Sequence, residues 1–379
     1  FENAIEAAAK LEPGDTLVFR GGVYKCRKDS LVGLGPVRSG RPGRPITFKA
    51  APGEKVIVDG SGSDWGFTSN GRSHIVIDGF EIRNDTGYGV KISARSDEPG
   101  VTGRDVTVRN CRIIDPMKEG IFAWETPDVT VENCLTRGSK TSQGVSIQLG
   151  CHDAVVRGVT SERNALNGIK VRGLRGMLVE NCLLRDNGRG LEVAGARNCT
   201  FRNNVIFGNG WRGPKDSSRY DVVFEGGGKD VPDPACRDNL FEHNTVANPV
   251  GPERKVSKLV QTNNGCTRTT FRGNIFYVKG LPVFGFYGNC TEGHAFEDNL
   301  LFSTTDQHVF VSGGVGVLKL PDFAAKYELT SAGNVSADPL FADIAAGKLD
   351  LKPDSPAGPR GAKLPVGCSL SASDAPVGL

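Results

Sequence analysis

Apolar and polar residues alternate along most of this chain in short runs of about five positions, each closed by Asn, Gly or Asp. That is the period of a half-buried strand, not of a helix. The runs repeat. One phrase appears as "VTVRNC" (106–111), "VTVENC" (129–134), "MLVENC" (177–182), "CTFRNN" (199–204) and "NLFEHN" (239–244), and continues as "TTFRGN" (269–274) and "AFEDN" (295–299). A second phrase accompanies it: "GVKIS" (89–93), "GIFAW" (120–124), "GVSIQ" (144–148), "GIKVR" (168–172) and "GLEVA" (190–194). Its glycines at 120, 144, 168 and 190 are spaced by 24, 24 and 22 residues, and Asp221 continues the series. Strands recurring at that spacing predict an all-β parallel β-helix, a single-stranded solenoid in which each repeat is one coil. Equivalent residues then stack about 4.8 Å apart.

Stacking assigns the side chains. Cys111, Cys134 and Cys182 share one position of the repeat, which Asn204, Asn244, Asn274 and Asn299 take over later. An inward position predicts buried, inert thiols followed by a ladder of amide hydrogen bonds. Cys236 stacks with Cys266 as a disulfide candidate, and Cys266 with Cys290 is the alternative. "ENAIEAAAKL" (2–11) predicts a capping helix with Ile5, Ala8 and Leu11 on its buried face. The β-helix domain is expected over 1–345, with a Pro/Gly-rich tail over 346–379.

Within the second phrase, the positions one and three after the glycine are nearly all apolar and fill the core. Those two and four after it therefore face outward. The first outward column reads Lys91, Phe122, Ser146, Lys170, Glu192, Val223, and the second reads Ser93, Trp124, Gln148, Arg172, Ala194, Glu225. An aromatic platform, amides, cations and carboxylates on one strip suit a saccharide groove. The segment 207–221 projects a loop beside it, supplying Trp211, Arg212 and Tyr220.

Composition narrows the class. Fifty glycines, two methionines and a net charge of +3 suit many short strands and leave no polycationic surface for nucleic acid. No apolar run reaches the roughly 18 residues of a membrane span. The chain starts at Phe1 without Met or an apolar leader, so any signal peptide has been removed or was never included. A secreted or periplasmic location is expected from function. A monomer is expected.

Three opening segments, "PGDTLVFRGGVYK", "SGRPGRPITFKAAPGEKVIVDGSG" and "HIVIDGFEIRN", resemble the start of right-handed β-helix proteins acting on polysaccharides. These are the family 9 (pectate-lyase-like) polysaccharide lyases and, more loosely, the family 6 lyases. "NGIKVRG" (167–173) is similar to the family 9 segment that carries the catalytic lysine, which falls on Lys170. The resemblance implies β-elimination on an acidic, uronate-containing polysaccharide and a bound calcium ion. The acidic D-D-G-x-D cluster that holds that ion has no counterpart here, where the preceding coils carry scattered Asp115, Glu119, Glu125, Asp128 and Asp153; the metal ligands are left unassigned.

In the lyase reading Lys170 is the base, with Arg172 beside it to disfavour its charge and Glu192 acting against that. Tyr220 is the proton donor. Arg172, Arg189 or Arg212 neutralises the substrate carboxylate, and Trp124, Gln148, Arg189, Trp211, Arg212 and Glu225 bind the sugar chain. A C5-epimerase shares the proton abstraction. A glycoside hydrolase could instead use Glu192 and Glu225, whose backbones lie on the order of 8 Å apart. A β-helix that only grips carbohydrate is the non-catalytic alternative.

Overall fold

The computed structural model describes residues 2–26, 35–93, 102–210, 219–251 and 256–358. Three long sheets wrap one core as a parallel β-helix. Two sheets have twelve strands each, running from Thr16–Phe19 to Thr330–Ala332 and from Gly22–Lys25 to Val335–Ser336. The third has eleven, from Trp65–Thr68 to Gly316–Leu318, and only its last pairing is antiparallel.

The repeated phrases mark its corners. The asparagine of the first phrase, at 110, 133, 181 and 203, takes a left-handed φ of 53–56° that turns the chain from the first sheet into the second. Asn tolerates that conformation better than most residues with a Cβ. The next residue points inward. Cys111, Cys134 and Cys182 are buried there, as is the ladder Asn204, Asn244, Asn274, Asn299. Asn204 Nδ2 donates to Asn244 Oδ1 at 2.9 Å, and Asn274 Nδ2 to Asn299 Oδ1 at 2.9 Å. Asn334 adds a further rung.

A second ladder lies at the turn into the third sheet. Asn164 donates to Asn187 (2.9 Å), Asn187 to Asn209 (3.1 Å), and Asn209 to Asp221 (3.0 Å). These amides press on the glycines of the second phrase. A Cβ at Gly168 would sit 2.8 Å from Asn187 Nδ2 and 2.9 Å from the Gly190 carbonyl oxygen. Here the repeated glycine answers a close approach.

Phe201, Phe241, Phe271 and Phe296 fall in register on the first sheet and are fully buried. Each contributes about 1.5–3 kcal/mol of hydrophobic stabilisation. The helix Glu2–Ala9 covers one end of the core with Ala8 and, just beyond it, Leu11. Ile5, expected on that buried face, is exposed, and Ala4 packs inward instead. A helix at Leu320–Lys326 closes the other end, with Phe323 4.6 Å from Phe286. The hairpin Phe341–Asp343/Lys348–Leu351 lays Phe341 and Leu349 on a small cluster with Val205, Ala247, Ile275 and Leu300.

The expected disulfide is absent. Cys236, Cys266 and Cys290 are free and buried, and the Cys236 and Cys266 sulfurs stack 3.5 Å apart. Burial pushes the Cys151 and Cys182 thiols up to about 12, which keeps them unreactive.

Candidate functional site

Strand pairing in the third sheet builds the strip. Phe122 pairs with Ser146, Ser146 with Lys170, Lys170 with Glu192 and Glu192 with Val223. Beside that column, Trp124, Gln148, Arg172, Ala194 and Glu225 stack in turn. Both outward columns therefore form in the expected register.

They are deeper than alternation alone implies. Ser146, Gln148, Glu192 and Tyr220 are buried although they point away from the core. Gln148 donates to Ser146 Oγ at 2.7 Å. Glu192 is the hub. Lys170 Nζ lies 2.8 Å from Oε1, while Arg189 Nη1 (3.1 Å) and Asn167 Nδ2 (2.9 Å) donate to Oε2. Burial alone would raise the Glu192 pKa. Lys170, Arg189 and Asn167 outweigh it and hold the carboxyl below its ordinary value.

Arg172 has a carboxylate partner that the outward columns do not contain. Its guanidinium is engaged by the exposed Asp230. Arg189 stacks on the Tyr220 ring, 4.9 Å from its centroid. Burial raises the Tyr220 pKa, which keeps its hydroxyl protonated. Glu225 is raised too, by burial and then by repulsion from Glu192. Burial likewise raises Glu119, which lies within electrostatic reach of Lys170. Trp124 is half-buried and stacks on Phe122, with centroids 6.1 Å apart.

Trp211 and Arg212 lie outside the described residues. Asn167, Asp230 and Glu119 were missed by sequence reasoning. Asn167 directly precedes the repeat glycine and had a positional signal. Asp230 had none, because it reaches Arg172 from 58 residues away.

The described residues hold no group of three or more His, Cys, Asp or Glu side chains placed to share a metal ion. Asp115 is engaged by Lys140 and Asp128 by Arg104. Held by these cations, the two carboxylates do not fit a calcium cage. Among the described residues no helix is long and apolar enough to cross a membrane.

Residues 65–231 match the family described as right handed beta helix region. No curated protein matches the chain. Among solved structures it is similar to pectate lyase Pel9A, with a TM-score of 0.55, 14% identity, and 93% of this chain and 84% of that chain covered. A rhamnogalacturonan lyase gives 0.55 and 13%, covering 90% and 86%. The A-module of the Azotobacter vinelandii mannuronan C-5 epimerase AlgE4 gives 0.52 and 15%, covering 88% and 82%. At these identities the likeness establishes the fold, a right-handed parallel β-helix.

Proposed function

We propose that this β-helix is a polysaccharide lyase that cleaves an acidic, uronate-containing chain by β-elimination. One observation carries the reading. Three basic side chains, Lys170, Arg172 and Arg189, gather on the strip beside Trp124 and Gln148. Among the described residues Glu192 pairs with Lys170 and Arg189, and the exposed Asp230 pairs with Arg172. Such a surface favours an anionic ligand. The pectate lyase and rhamnogalacturonan lyase folds support the same class of substrate.

Asp230 is an exchangeable partner, so a substrate carboxylate can take its place on Arg172. Neutralising that carboxylate acidifies the C5 proton beside it. Lys170, after giving one proton to solvent, keeps an N–H on Glu192 and takes the C5 proton on its lone pair. The C5–H electrons form the C4=C5 double bond as the C4–O bond breaks, and Tyr220 protonates the leaving oxygen. Glu192 and Arg189 position Lys170 and Tyr220. Trp124, Gln148 and Glu225 line the chain. A polysaccharide substrate places the protein outside the cytoplasm, secreted or periplasmic.

A glycoside hydrolase reading has one observation in its favour. Glu192 is lowered and Glu225 raised, the separation expected of an acid–base pair. Against it, both Glu192 oxygens are engaged by three donors, which leaves it poorly placed to activate water.

Pectate, alginate and glycosaminoglycans, screened with and without a chelator, provide the test. Elimination yields an unsaturated end that absorbs in the near ultraviolet, and Lys170→Ala is expected to lower its rate by at least 100-fold, in the range of general-base catalysis (about 10²–10⁴). Full elimination by Lys170→Ala would overturn the assignment. Reducing ends without absorbance, lost in Glu225→Ala, would replace it with hydrolysis.

A further inference from the structure

The same face of the third sheet carries a second cationic station, which the chemistry above does not use. Lys91 stands in the Lys170 column, joined to it through Phe122 and Ser146 by consecutive strand pairs. Three strand spacings put the two lysines about 14–15 Å apart along the solenoid axis. Lys91 Nζ lies over the Trp65 ring, 4.6 Å from its centroid, and Lys118 Nζ lies over Tyr88 at 5.2 Å. Aromatic rings bridge the gap toward the centre: Tyr88 meets Phe122 at 5.0 Å, and Phe122 stacks on Trp124 at 6.1 Å with 27° between planes. These side chains are half-buried, apart from the exposed Lys118.

We propose that Trp65, Tyr88, Lys91 and Lys118 form a distal subsite that holds a uronate unit of the chain whose scissile bond lies at Lys170. This rests on the uronate reading above and adds where the chain runs and how long it must be. Ring faces accept the apolar faces of sugars, and the ammonium groups accept a carboxylate. Among the described residues neither lysine makes an ion pair within 4 Å. Burial disfavours the charge on Lys91, lowering its pKa, and the exposed Asp64 only partly offsets this. A bound carboxylate supplies the missing counter-charge. A sugar unit in an extended chain advances by roughly one strand spacing, so one uronate at each station requires a substrate of at least four units.

The test is calorimetric binding of oligouronates in a Lys170→Ala background, which prevents turnover. A hexamer is expected to bind roughly tenfold or more tighter than a trimer, the worth of one charge-assisted contact. Lys91→Met, which keeps the stem over Trp65, and Trp65→Ala should bring the hexamer down to trimer affinity and leave the trimer unchanged. Circular dichroism checks that both variants fold. Hexamer affinity unaltered by Lys91→Met overturns the subsite. So does equal affinity for a neutral xylo-hexamer, or no binding of any oligouronate. Failure of the lyase reading shows separately, as wild-type protein that releases no unsaturated product while the binding measurements still report on Lys91.

Discussion

Glu192 shows what keeps a charge beneath the surface of a β-helix. Its side chain is 5% exposed and both oxygens are engaged, so removing the carboxylate leaves Lys170 and Arg189 without their partner. Breaking a buried pair typically costs 3–5 kcal/mol. Both cations keep a path to water here, so Glu192→Gln is expected to cost about 3 kcal/mol in urea unfolding at neutral pH. Acid gives a second readout. Because the folded pKa lies below the unfolded one, the contribution is complete above the ordinary glutamate value of about 4.3 and fades as pH falls through the folded value. Wild type should therefore lose stability more steeply than Glu192→Gln below that pH; equal slopes would show that Glu192 is not held ionised. The Lys170–Glu192 neighbourhood was legible in the sequence, since both residues sit two places after their glycines. The engagement of Glu192 with Asn167 was not, because alternation stops being a guide where a strand meets its turn.

At the level of elements, the asparagine ladders do the work that disulfides do in small secreted folds. Asn244 accepts from the Asn204 N–H and Nδ2, each at 2.9 Å, and donates to the Phe201 carbonyl oxygen at 2.9 Å and to Asn274 Oδ1 at 3.2 Å. Asn244→Ala strips partners from several buried groups at once, and each orphaned group costs about 1–3 kcal/mol. A loss of about 3 kcal/mol in chemical denaturation is expected, against less than 1 kcal/mol for an exposed surface substitution. The first ladder was readable because its members hold one place in a strongly periodic phrase. The second, through Asn164, Asn187 and Asn209, lies in a corner outside both phrases. It emerges only when Gly168 is seen to face Asn187. The cysteines make the same point. Spacing brings Cys236 and Cys266 together, but the 3.5 Å between their sulfurs is contact without a bond.

On the scale of the whole molecule, each coil rests on its two neighbours, and a coil at an end has only one. Thr330–Ala332 and Val335–Ser336 are the last rungs of their sheets, and Thr330–Ala332 is exposed along its length. Hydrogen exchange is expected to be fastest in those strands and slowest in the interior strands Val145–Gln148, Asn167–Arg172 and Arg189–Ala194, which are paired on both sides. Uniform protection along the solenoid would contradict this picture. It also places Lys170 and Glu192 on interior coils paired on both sides, which suits a site that must hold its geometry.

The chain's own pattern set the solenoid, the register of its outward columns and the inward run of cysteines and asparagines, because each depends on a period of two within strands and on a phrase that recurs once per coil, at 22–24 residues in the centre and up to 40 between Asn204 and Asn244. Tertiary structure alone decided which charges meet. Asp230 on Arg172, Arg189 over Tyr220, the enclosure of Glu192 and the seat of Lys91 on Trp65 depend on loops and side-chain reach. No periodicity encodes those, since a side chain's partner is set by what the neighbouring coil and its loops place within a few ångströms.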